Sequence, residues 1–283
     1  MNNILEVTGL HKKYKGFFLN NISFAVPQGY IMGFIGPNGA GKTTTLKAML
    51  NMISYEQGDI KILDCDSKTK SMHINDEIGV VMDYAFYPND WKMKDVESAV
   101  SVFYSRWNHD KFIYFLEQFA IDTKKKVKEL SRGMKVKLML AIALSHDARL
   151  LILDEPTSGL DPVARDELME IFREFISDET KSILFSTHIT SDLEKIADYI
   201  TYIKDGEIVF TGLKDTLIES YVIVKGGLSD ITNEQKKFIT GCREHSTGFE
   251  GMIKTDDIGK FSKDITAEPV TLEEIIVYMN KKI

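Results

Sequence analysis

Cysteine is nearly missing from this chain. Only Cys65 and Cys242 occur among 283 residues, and they lie far apart, outside any Cys-x-x-Cys arrangement. Disulfide scaffolds need many paired cysteines, and structural zinc sites need closely spaced thiolates. The scarcity therefore argues against both kinds of site and fits a protein of a reducing compartment.

Long apolar runs are also missing. No segment approaches the roughly 18 apolar residues of a membrane span, and the first residues do not read as a signal peptide. Heptad repeats and low-complexity tracts are absent as well, which argues against a long coiled-coil ATPase. We therefore expect any role at a membrane to come through a partner.

The third missing feature is an excess of positive charge. The formal net charge is −7 at pH 7, whereas non-specific binding to nucleic acid needs a clustered basic surface. The basic run at 124–128 is interpreted as a solvated loop face. We therefore expect no nucleic acid partner.

The length allows one large α/β domain with a small appendage, or two modest domains.

The chain does contain a glycine-rich loop, which lies between a predicted strand and a predicted helix. Residues 36–44 read Gly-Pro-Asn-Gly-Ala-Gly-Lys-Thr-Thr, between an apolar segment of strand length and a run of helix formers. Strand, loop and helix in this order are the context of the G-x-x-x-x-G-K-T motif. Glycines let backbone N–H groups converge on a phosphate, and the helix adds its positive dipole end. The sequence therefore predicts binding of a nucleoside triphosphate.

Two side chains of this loop have predicted chemical roles. Lys42 can reach the β- and γ-phosphates, and the Thr43 hydroxyl can bind Mg²⁺. The simpler alternative is a glycine turn whose lysine is only solvated, but the fixed positions would arise by chance in about one such chain in a hundred. The predicted nucleotide-binding residues of the loop are Gly36, Asn38, Gly39, Ala40, Gly41, Lys42, Thr43 and Thr44.

Two adjacent carboxylates follow a second apolar segment. Asp154 and Glu155 come directly after residues 150–153, at the strand end where α/β sheets place their ligands. Asp154 is placed to hold Mg²⁺, through water, and Glu155 can orient an attacking water. The alternative is a pair of acidic residues that cap the next element. Beside a phosphate loop, we expect the catalytic arrangement.

Three further segments suggest contacts with phosphate or base. Ser131 and Gly133 stand at the start of an apolar helix, either as a second anion site or as an ordinary cap. His188 follows another buried strand and is predicted to sense the γ-phosphate rather than to be structural. Tyr14 could stack on a nucleotide base or pack on a sheet edge. Asp161 before Pro162 is a typical helix start.

As a set, these segments resemble the nucleotide-binding subunit of an ABC transporter over about residues 1–212. The phosphate loop, Leu130-Ser-Arg-Gly-Met134, Asp154-Glu155, Ser158-Gly-Leu-Asp161 and Thr187-His188 occur in that family's order and spacing. The resemblance implies an α/β P-loop NTPase with a RecA-like core, an antiparallel β subdomain and a helical subdomain at about 84–146. Residues 213–283 are predicted to form a small α+β accessory domain.

The resemblance also implies how the subunit works. It would form a head-to-tail dimer with a second ATPase subunit, identical or different, with ATP and Mg²⁺ between them. Ser131 and Gly133 would contact the γ-phosphate in trans, Asp161 would lie across the interface, and His188 would hold the γ-phosphate and the attacking water. Tyr14 is favoured as the aromatic residue that stacks on the base.

The chain departs from the family pattern at two places. In the signature segment, Arg132 replaces a glycine and Met134 a glutamine, while Ser131 and Gly133 are retained. In addition, Asp83 stands where a glutamine is usual. An aspartate can still bind Mg²⁺, but it is shorter and adds negative charge near the γ-phosphate. We therefore expect slow resting turnover.

The resulting functional prediction is an ATP hydrolase that drives separate transmembrane permease subunits from the cytoplasmic face of the cell membrane. The segments at 81–83 and 130–135 are similar to bacterial ABC-2-type exporters, including antimicrobial-peptide resistance systems and exporters of phenol-soluble modulins. The aromatic cluster Tyr84, Phe86, Tyr87 and Trp91 would line the permease groove or fill the core of the helical subdomain.

Two other classes remain as alternatives. A soluble ABC ATPase that acts on ribosomes or DNA usually has two cassettes in one chain or a long coiled coil, and neither is present. A P-loop kinase or GTPase would need a phosphoacceptor site or an Asn-Lys-x-Asp motif. The sequence at 280–283 is Asn-Lys-Lys-Ile, which lacks the aspartate.

Overall fold

The computed structural model describes residues 2–68, 72–82, 87–262 and 265–280, which divide into two compact units. The first unit contains the residues up to His188 together with Ile196–Thr211. The second contains Ile189–Lys195 and the residues from Gly212 onward. No helix within the described ranges is both long and apolar enough to cross a membrane.

The first unit begins with an antiparallel sheet. It consists of β1 (Asn3–Tyr14), β2 (Phe17–Pro27), β4 (Gln57–Ile62) and β5 (Cys65–Asp66), in the order β2-β1-β4-β5. Along β1, alternate side chains such as Leu5 and Val7 are buried, as expected for a sheet with one face on the core. The β1–β2 hairpin ends with Tyr14 opposite Phe17.

A second sheet forms the centre of the first unit. Its strands are β3 (Ile31–Ile35), β6 (Ile78–Val81), β7 (Leu150–Asp154), β8 (Ser182–Thr187), β9 (Tyr199–Lys204) and β10 (Glu207–Leu213). Their order is β10-β9-β3-β8-β7-β6, and β9, β3, β8, β7 and β6 run parallel. Every residue of β3, β7 and β8 is buried, because both faces of a parallel sheet are covered. The predicted α/β class is confirmed.

Helices connect the strands of the central sheet. They are α1 (Lys42–Met49), α2 (Met72–Glu77), α3 (Met93–Val100), α4 (His109–Gln118), α5 (Arg132–Leu144) and α6 (Pro162–Ile176). Helices α3 to α5 follow one another between β6 and β7, where the helical subdomain was predicted. Residues 138–144 of α5 are all buried, which explains the apolar composition of that helix.

The second unit is a small antiparallel sheet with helices. Its strands are β11 (Tyr221–Gly226), β12 (Thr240–His245), β13 (Gly248–Lys254) and β14 (Thr266–Pro269), in the order β12-β13-β11-β14. Its helices are α8 (Lys214–Glu219), α9 (Asn233–Lys236), α10 (Leu272–Asn280) and all but the last residue of α7 (Thr190–Ile196).

The division between the units differs from the predicted one in one respect. The break after Thr211 lies within one residue of the predicted boundary, but Ile189–Lys195 also belongs to the second unit. The reason lies in Glu194. Its carboxylate accepts a hydrogen bond from the N–H of Leu272 at 2.8 Å, and its carbonyl accepts one from Lys214 Nζ at 2.9 Å. Such long-range contacts cannot be inferred from the sequence order.

A tight turn between β9 and β10 supports the phosphate loop. Asp205 and Gly206 both have positive φ values, 50° and 79°, as the predicted Asp-Gly hairpin requires. The Gly206 N–H donates to the carbonyl of Ala40 at 3.1 Å. A Cβ atom on Gly206 would lie 1.9 Å from the carbonyl oxygen of Phe18.

We expect Gly206→Ala to destabilise the protein by about 3 kcal/mol, because the substitution combines backbone strain with a steric clash. Gly16→Ala is the matched control, since Gly16 also has a positive φ but a Cβ atom there would meet nothing within 4 Å. Its cost should be about 1 kcal/mol. Thermal unfolding measures both, and equal shifts of the midpoint would contradict the steric argument.

Candidate nucleotide-binding site

The predicted phosphate loop lies between β3 and α1. At its end, Gly41 has a φ of 115°, and a Cβ atom there would lie 2.5 Å from a methyl group of Leu19. Only glycine therefore fits. No side chain caps the start of α1, so its first N–H groups are available to an anionic ligand.

A cavity of about 440 Å³ opens at this loop. That volume lies within the range of about 300–1,000 Å³ that is usual for small-molecule sites. Six of the eight loop residues that were predicted to bind nucleotide line it, all except Gly36 and Ala40. The lining residues are Phe17, Pro37, Asn38, Gly39, Gly41, Lys42, Thr43, Thr44 and Glu155.

Lys42 is buried at the first position of α1. Its ammonium donates to the carbonyl oxygen of Gly36 at 2.6 Å and lies 3.7 Å from Glu155 Oε1. Burial lowers the pKa of Lys42, and the negative charges of Glu155 and Asp154 partly oppose this shift. The ammonium is thus held at the loop by acceptors that a more negative ligand can replace.

Asp154 lies at the carboxyl end of β7 and is almost fully buried. Its two carboxylate oxygens accept hydrogen bonds from Thr43 Oγ1 at 2.7 Å and from Ser186 Oγ at 3.0 Å. Burial raises the pKa of Asp154, and these two hydrogen bonds act in the opposite direction. Ser186 was not predicted, although a serine inside an apolar strand could have indicated a partner for the carboxylate.

The donor set around Asp154 fits Mg²⁺. This ion usually takes one or two protein oxygens and fills its remaining positions with water and phosphate oxygens. The Thr43 hydroxyl and the Asp154 carboxylate are adjacent and supply such oxygens. Among the described residues, no group of three or more His, Cys, Asp and Glu side chains could hold a metal alone.

Glu155 connects the two other predicted catalytic residues. While Oε1 faces Lys42, Oε2 lies 2.7 Å from His188 Nδ1. The backbone of Glu155 has a φ of 52°, in the left-handed region, and its N–H donates to the carbonyl of Ser186 at 2.8 Å. Strained conformations of this kind are concentrated at functional sites. Lys42, Glu155 and His188 are thus brought together as predicted.

The register of the central sheet explains why Lys42, Glu155 and His188 lie close together. Residue Ile35, at the end of β3, pairs with Thr187 of β8, and Asp154 of β7 pairs with Ser186. Because the three strands are parallel neighbours, the loops that follow them start at one edge of the sheet. The phosphate loop, the carboxylates and His188 all follow these strand ends.

The signature residues lie elsewhere. Ser131 caps α5 by accepting from the N–H of Met134, and Asp161 caps α6 by accepting from Val163 and Ala164. A Cβ atom on Gly133 would lie 2.6 Å from a methyl group of Leu160, so the two segments pack closely. Within the described ranges, none of Ser131, Gly133 and Asp161 lines the cavity at Lys42.

The structure describes some of the predicted aromatic residues and not others. Tyr14 is the last residue of β1, nearly half exposed, with the Lys12 ammonium 5.0 Å from its ring centroid. Its hairpin partner Phe17, which was not predicted, lines the cavity. Tyr87 is partly buried, and burial raises the pKa of its hydroxyl. Asp83, Tyr84 and Phe86 lie outside the described residues.

Comparison with known proteins places these motifs in context. A family model described as "ABC transporter" matches residues 19–158. The lantibiotic transport ATP-binding protein SrtF of Streptococcus pyogenes is 35% identical over 213 residues, covering 73% of this chain and 89% of that protein. The Nod factor export ATP-binding protein I of Burkholderia orbicola is 34% identical over 224 residues, covering 77% and 73%.

Solved structures agree on the fold. The ATP-binding subunit of an ABC transporter superposes with a TM-score of 0.68 at 24% identity, covering 76% of this chain and 91% of that one. The dimeric ATP-binding cassette MJ0796, bound to ADP and phosphate, superposes with a TM-score of 0.66 at 20% identity, covering 74% and 98%. The predicted P-loop NTPase fold is confirmed.

We expect Ser186→Ala to shift the acid limb of Mg-ATP binding upward by about one pH unit. The hydrogen bond from Ser186 stabilises the ionised carboxylate of Asp154, so its removal raises the pKa of Asp154. As the pH is lowered, the carboxylate is then protonated at a higher pH, and Mg-ATP binding is lost there. Titration of Mg-ATP binding between pH 4 and pH 8 measures the shift.

Ser182→Ala is the matched control for this titration. Ser182 stands at the other end of the same strand, and its hydroxyl bonds the backbone of Gly29 and Pro27. Its acid limb should remain in place. An unchanged limb in Ser186→Ala would show that Asp154 does not govern the acid loss.

Proposed function

The chain belongs to the ABC transporter family as an ATP-binding and ATP-hydrolysing subunit of the exporter kind, and from this premise we propose which of its residues carry out hydrolysis and transmit it. The observation that carries the proposal is the contact of Glu155 with both Lys42 and His188, next to the Thr43–Asp154 pair. The same side chains can bind phosphates, activate a water and hold a metal.

The proposed mechanism uses the residues at the edge of the sheet. Lys42 leaves the carbonyl of Gly36 and neutralises the β- and γ-phosphates of ATP. Glu155 orients the attacking water and accepts its proton, while His188 fixes the carboxylate and the γ-phosphate. Mg²⁺, held by Thr43 and through water by Asp154, would supply positive charge to the phosphates.

Composite sites in a head-to-tail dimer account for the remaining motif residues. Ser131, Gly133 and Asp161 do not line the cavity of their own chain, yet Ser131 presents a hydroxyl at a helix start, where anions bind. They act on ATP that a second ATPase subunit holds, identical or different. Tyr14 and Phe17, side by side at the end of the hairpin, contact the base and sugar.

A separate surface of the first unit receives the permease. Val102 and Phe103 are 77% and 74% exposed, beside a cavity of about 310 Å³ whose lining includes Leu50, Ile78 and Val80. Adjacent exposed apolar side chains of this kind mark interaction sites, and a groove of this composition suits an apolar helix. This surface complements the predicted aromatic cluster, of which Tyr87 and Trp91 are partly buried.

The cargo is proposed from the relatives. SrtF is named for lantibiotic transport and the Burkholderia protein for Nod factor export, so peptides or amphipathic compounds are the proposed class. The subunit works at the cytoplasmic face of the membrane, bound to separate permease subunits. The net charge of −7 disfavours the alternative of an ATPase that acts on ribosomes or DNA, because non-specific binding to nucleic acid is electrostatic.

We expect Glu155→Gln to retain ATP binding but to slow hydrolysis by about 10²–10⁴-fold, the usual contribution of a general base. Glu170→Gln is the matched control, because Glu170 is exposed on α6 and pairs with Arg173 one turn away. Phosphate release and fluorescent ATP titration measure the two properties. Near-normal hydrolysis in Glu155→Gln would assign the base to another residue.

We expect Phe103→Ser to abolish co-purification of the transmembrane subunits with the tagged chain, since the apolar contact would be lost. Val209→Ser, which alters a half-exposed apolar side chain on β10, is the control. Mass spectrometry of complexes solubilised from the native membrane identifies the retained subunits. Undiminished recovery with Phe103→Ser would place the permease surface elsewhere.

A further inference from the structure

A further cavity opens at the edge of the central sheet opposite the nucleotide site. Its volume is about 360 Å³, within the range of about 300–1,000 Å³ that is usual for small-molecule sites. Asp147 and Lys181, which line it, precede β7 and β8, whereas Asp154 and His188 stand at the other ends of these strands. We call it the opposite-edge cavity, and its lining includes Tyr114, Phe115, Asp147, Glu174, Phe175 and Lys181.

Much of the lining is aromatic or aliphatic. The rings of Tyr114 and Phe115 on α4 have centroids 5.3 Å apart, and Phe175 is contributed by α6. Leu144 and Ile171 add aliphatic surface. Tyr114 is more than half exposed, and an exposed aromatic side chain beside a concave apolar surface is typical of a binding site. The lining therefore suits a ligand with an apolar body.

Two lysines and two carboxylates at this cavity neutralise one another. Lys181 Nζ lies 3.1 Å from Asp147 Oδ1 and 3.6 Å from Asp178 Oδ2. Lys111 Nζ lies 4.0 Å from Asp147 Oδ1. The hydrogen bond from Lys181 lowers the pKa of Asp147, which keeps its carboxylate ionised. An anionic ligand would have to compete with these carboxylates for the lysines.

Glu174 is the carboxylate that these ion pairs leave over. It is exposed near the end of α6, and its side chain has no ion-pair or hydrogen-bond partner in the part of the chain that the structure describes. The lining thus has an excess of one negative charge. A ligand cation can pair with Glu174 without breaking any of the existing ion pairs.

The surroundings of Glu174 also favour a cation. Lys181 Nζ lies 5.4 Å from the ring centroid of Phe175, a distance typical of a cation–π interaction, so the aromatic lining already accepts an ammonium group. The C-terminal ends of α5 and α6 carry partial negative charge and meet the cavity at Leu144 and Ser177. The start of α4 has the opposite sign, but the side chain of Asn108 caps it.

From these observations we propose that the opposite-edge cavity binds a small amphipathic organic cation, a primary amine on an apolar body. The ammonium group pairs with Glu174, and the apolar body lies against Phe115 and Phe175. Among the described residues, this cavity shares no lining residue with the cavity at Lys42. The proposal is therefore independent of the proposed mechanism of ATP hydrolysis.

Titration with three compounds that share an indole ring tests the charge preference in the full-length chain. At neutral pH, tryptamine carries an ammonium group, indole-3-propionate carries a carboxylate and 3-ethylindole is uncharged. Calorimetry should show that tryptamine binds about tenfold more tightly than the other two, because it alone can pair with Glu174. Equal affinities, tighter binding of indole-3-propionate, or a dissociation constant for tryptamine weaker than about 1 mM would overturn the proposal.

Variants on α6 test the two contacts separately. Glu174→Gln should weaken tryptamine binding by about tenfold and leave 3-ethylindole unaffected. Glu170→Gln, which alters an exposed carboxylate one turn earlier on α6, is the matched control and should bind tryptamine as the parent does. Phe175→Leu keeps an apolar side chain but removes the ring, and should weaken tryptamine binding by about threefold. Unchanged binding in Glu174→Gln would overturn the proposal.

Saturation with Mg-ADP distinguishes the opposite-edge cavity from the nucleotide site, where Phe17 and Glu155 also offer a ring and a carboxylate. The affinity for tryptamine should be the same with and without Mg-ADP, because the two cavities have different linings. Displacement of tryptamine by Mg-ADP would place the amine at the nucleotide site and overturn the proposal.

Discussion

The burial of the Lys42 ammonium is the constraint on which the nucleotide site depends. A buried charge is costly unless it is paired and hydrogen-bonded. Here the carbonyl of Gly36 and the carboxylate of Glu155 satisfy it, which requires the phosphate loop and the end of β7 to meet. The β3-β8-β7 order provides that meeting, and the same order places Ser186 against Asp154. The proposed phosphate binding, metal binding and water activation thus share one set of contacts.

The proposed functional residues of the first unit lie at three separate places. Lys42, Asp154 and Glu155 lie at one edge of the central sheet, Ser131 lies at the start of α5, and Phe103 lies on the exposed surface near its other end. This distribution fits the proposed motor subunit, in which ATP binds between two ATPase subunits and the resulting conformational change must reach the permease. The second unit, with its own sheet and core, adds no catalytic constellation within its described residues.

Much of this arrangement was predictable because it depends on local patterns. The glycine spacing around Lys42, the apolar strand before Asp154 and the Asp205-Gly206 turn each follow from neighbouring residue types. Phe17 and Ser186 were not predicted, because their roles depend on contacts with a neighbouring strand. Phe17 pairs with Tyr14 of β1, and Ser186 pairs with Asp154 of β7. The contact of Asp76 with Ser105, 29 residues away, carries no sequence signal at all.

The claim most directly open to measurement is that two chains complete each ATP site. Light scattering of the purified Glu155→Gln protein, with and without Mg-ATP, measures it, and Ser131→Arg in the same background is the comparison. The account predicts a doubling of the mass with Mg-ATP that Ser131→Arg abolishes. A protein that binds Mg-ATP tightly but remains a monomer would contradict it.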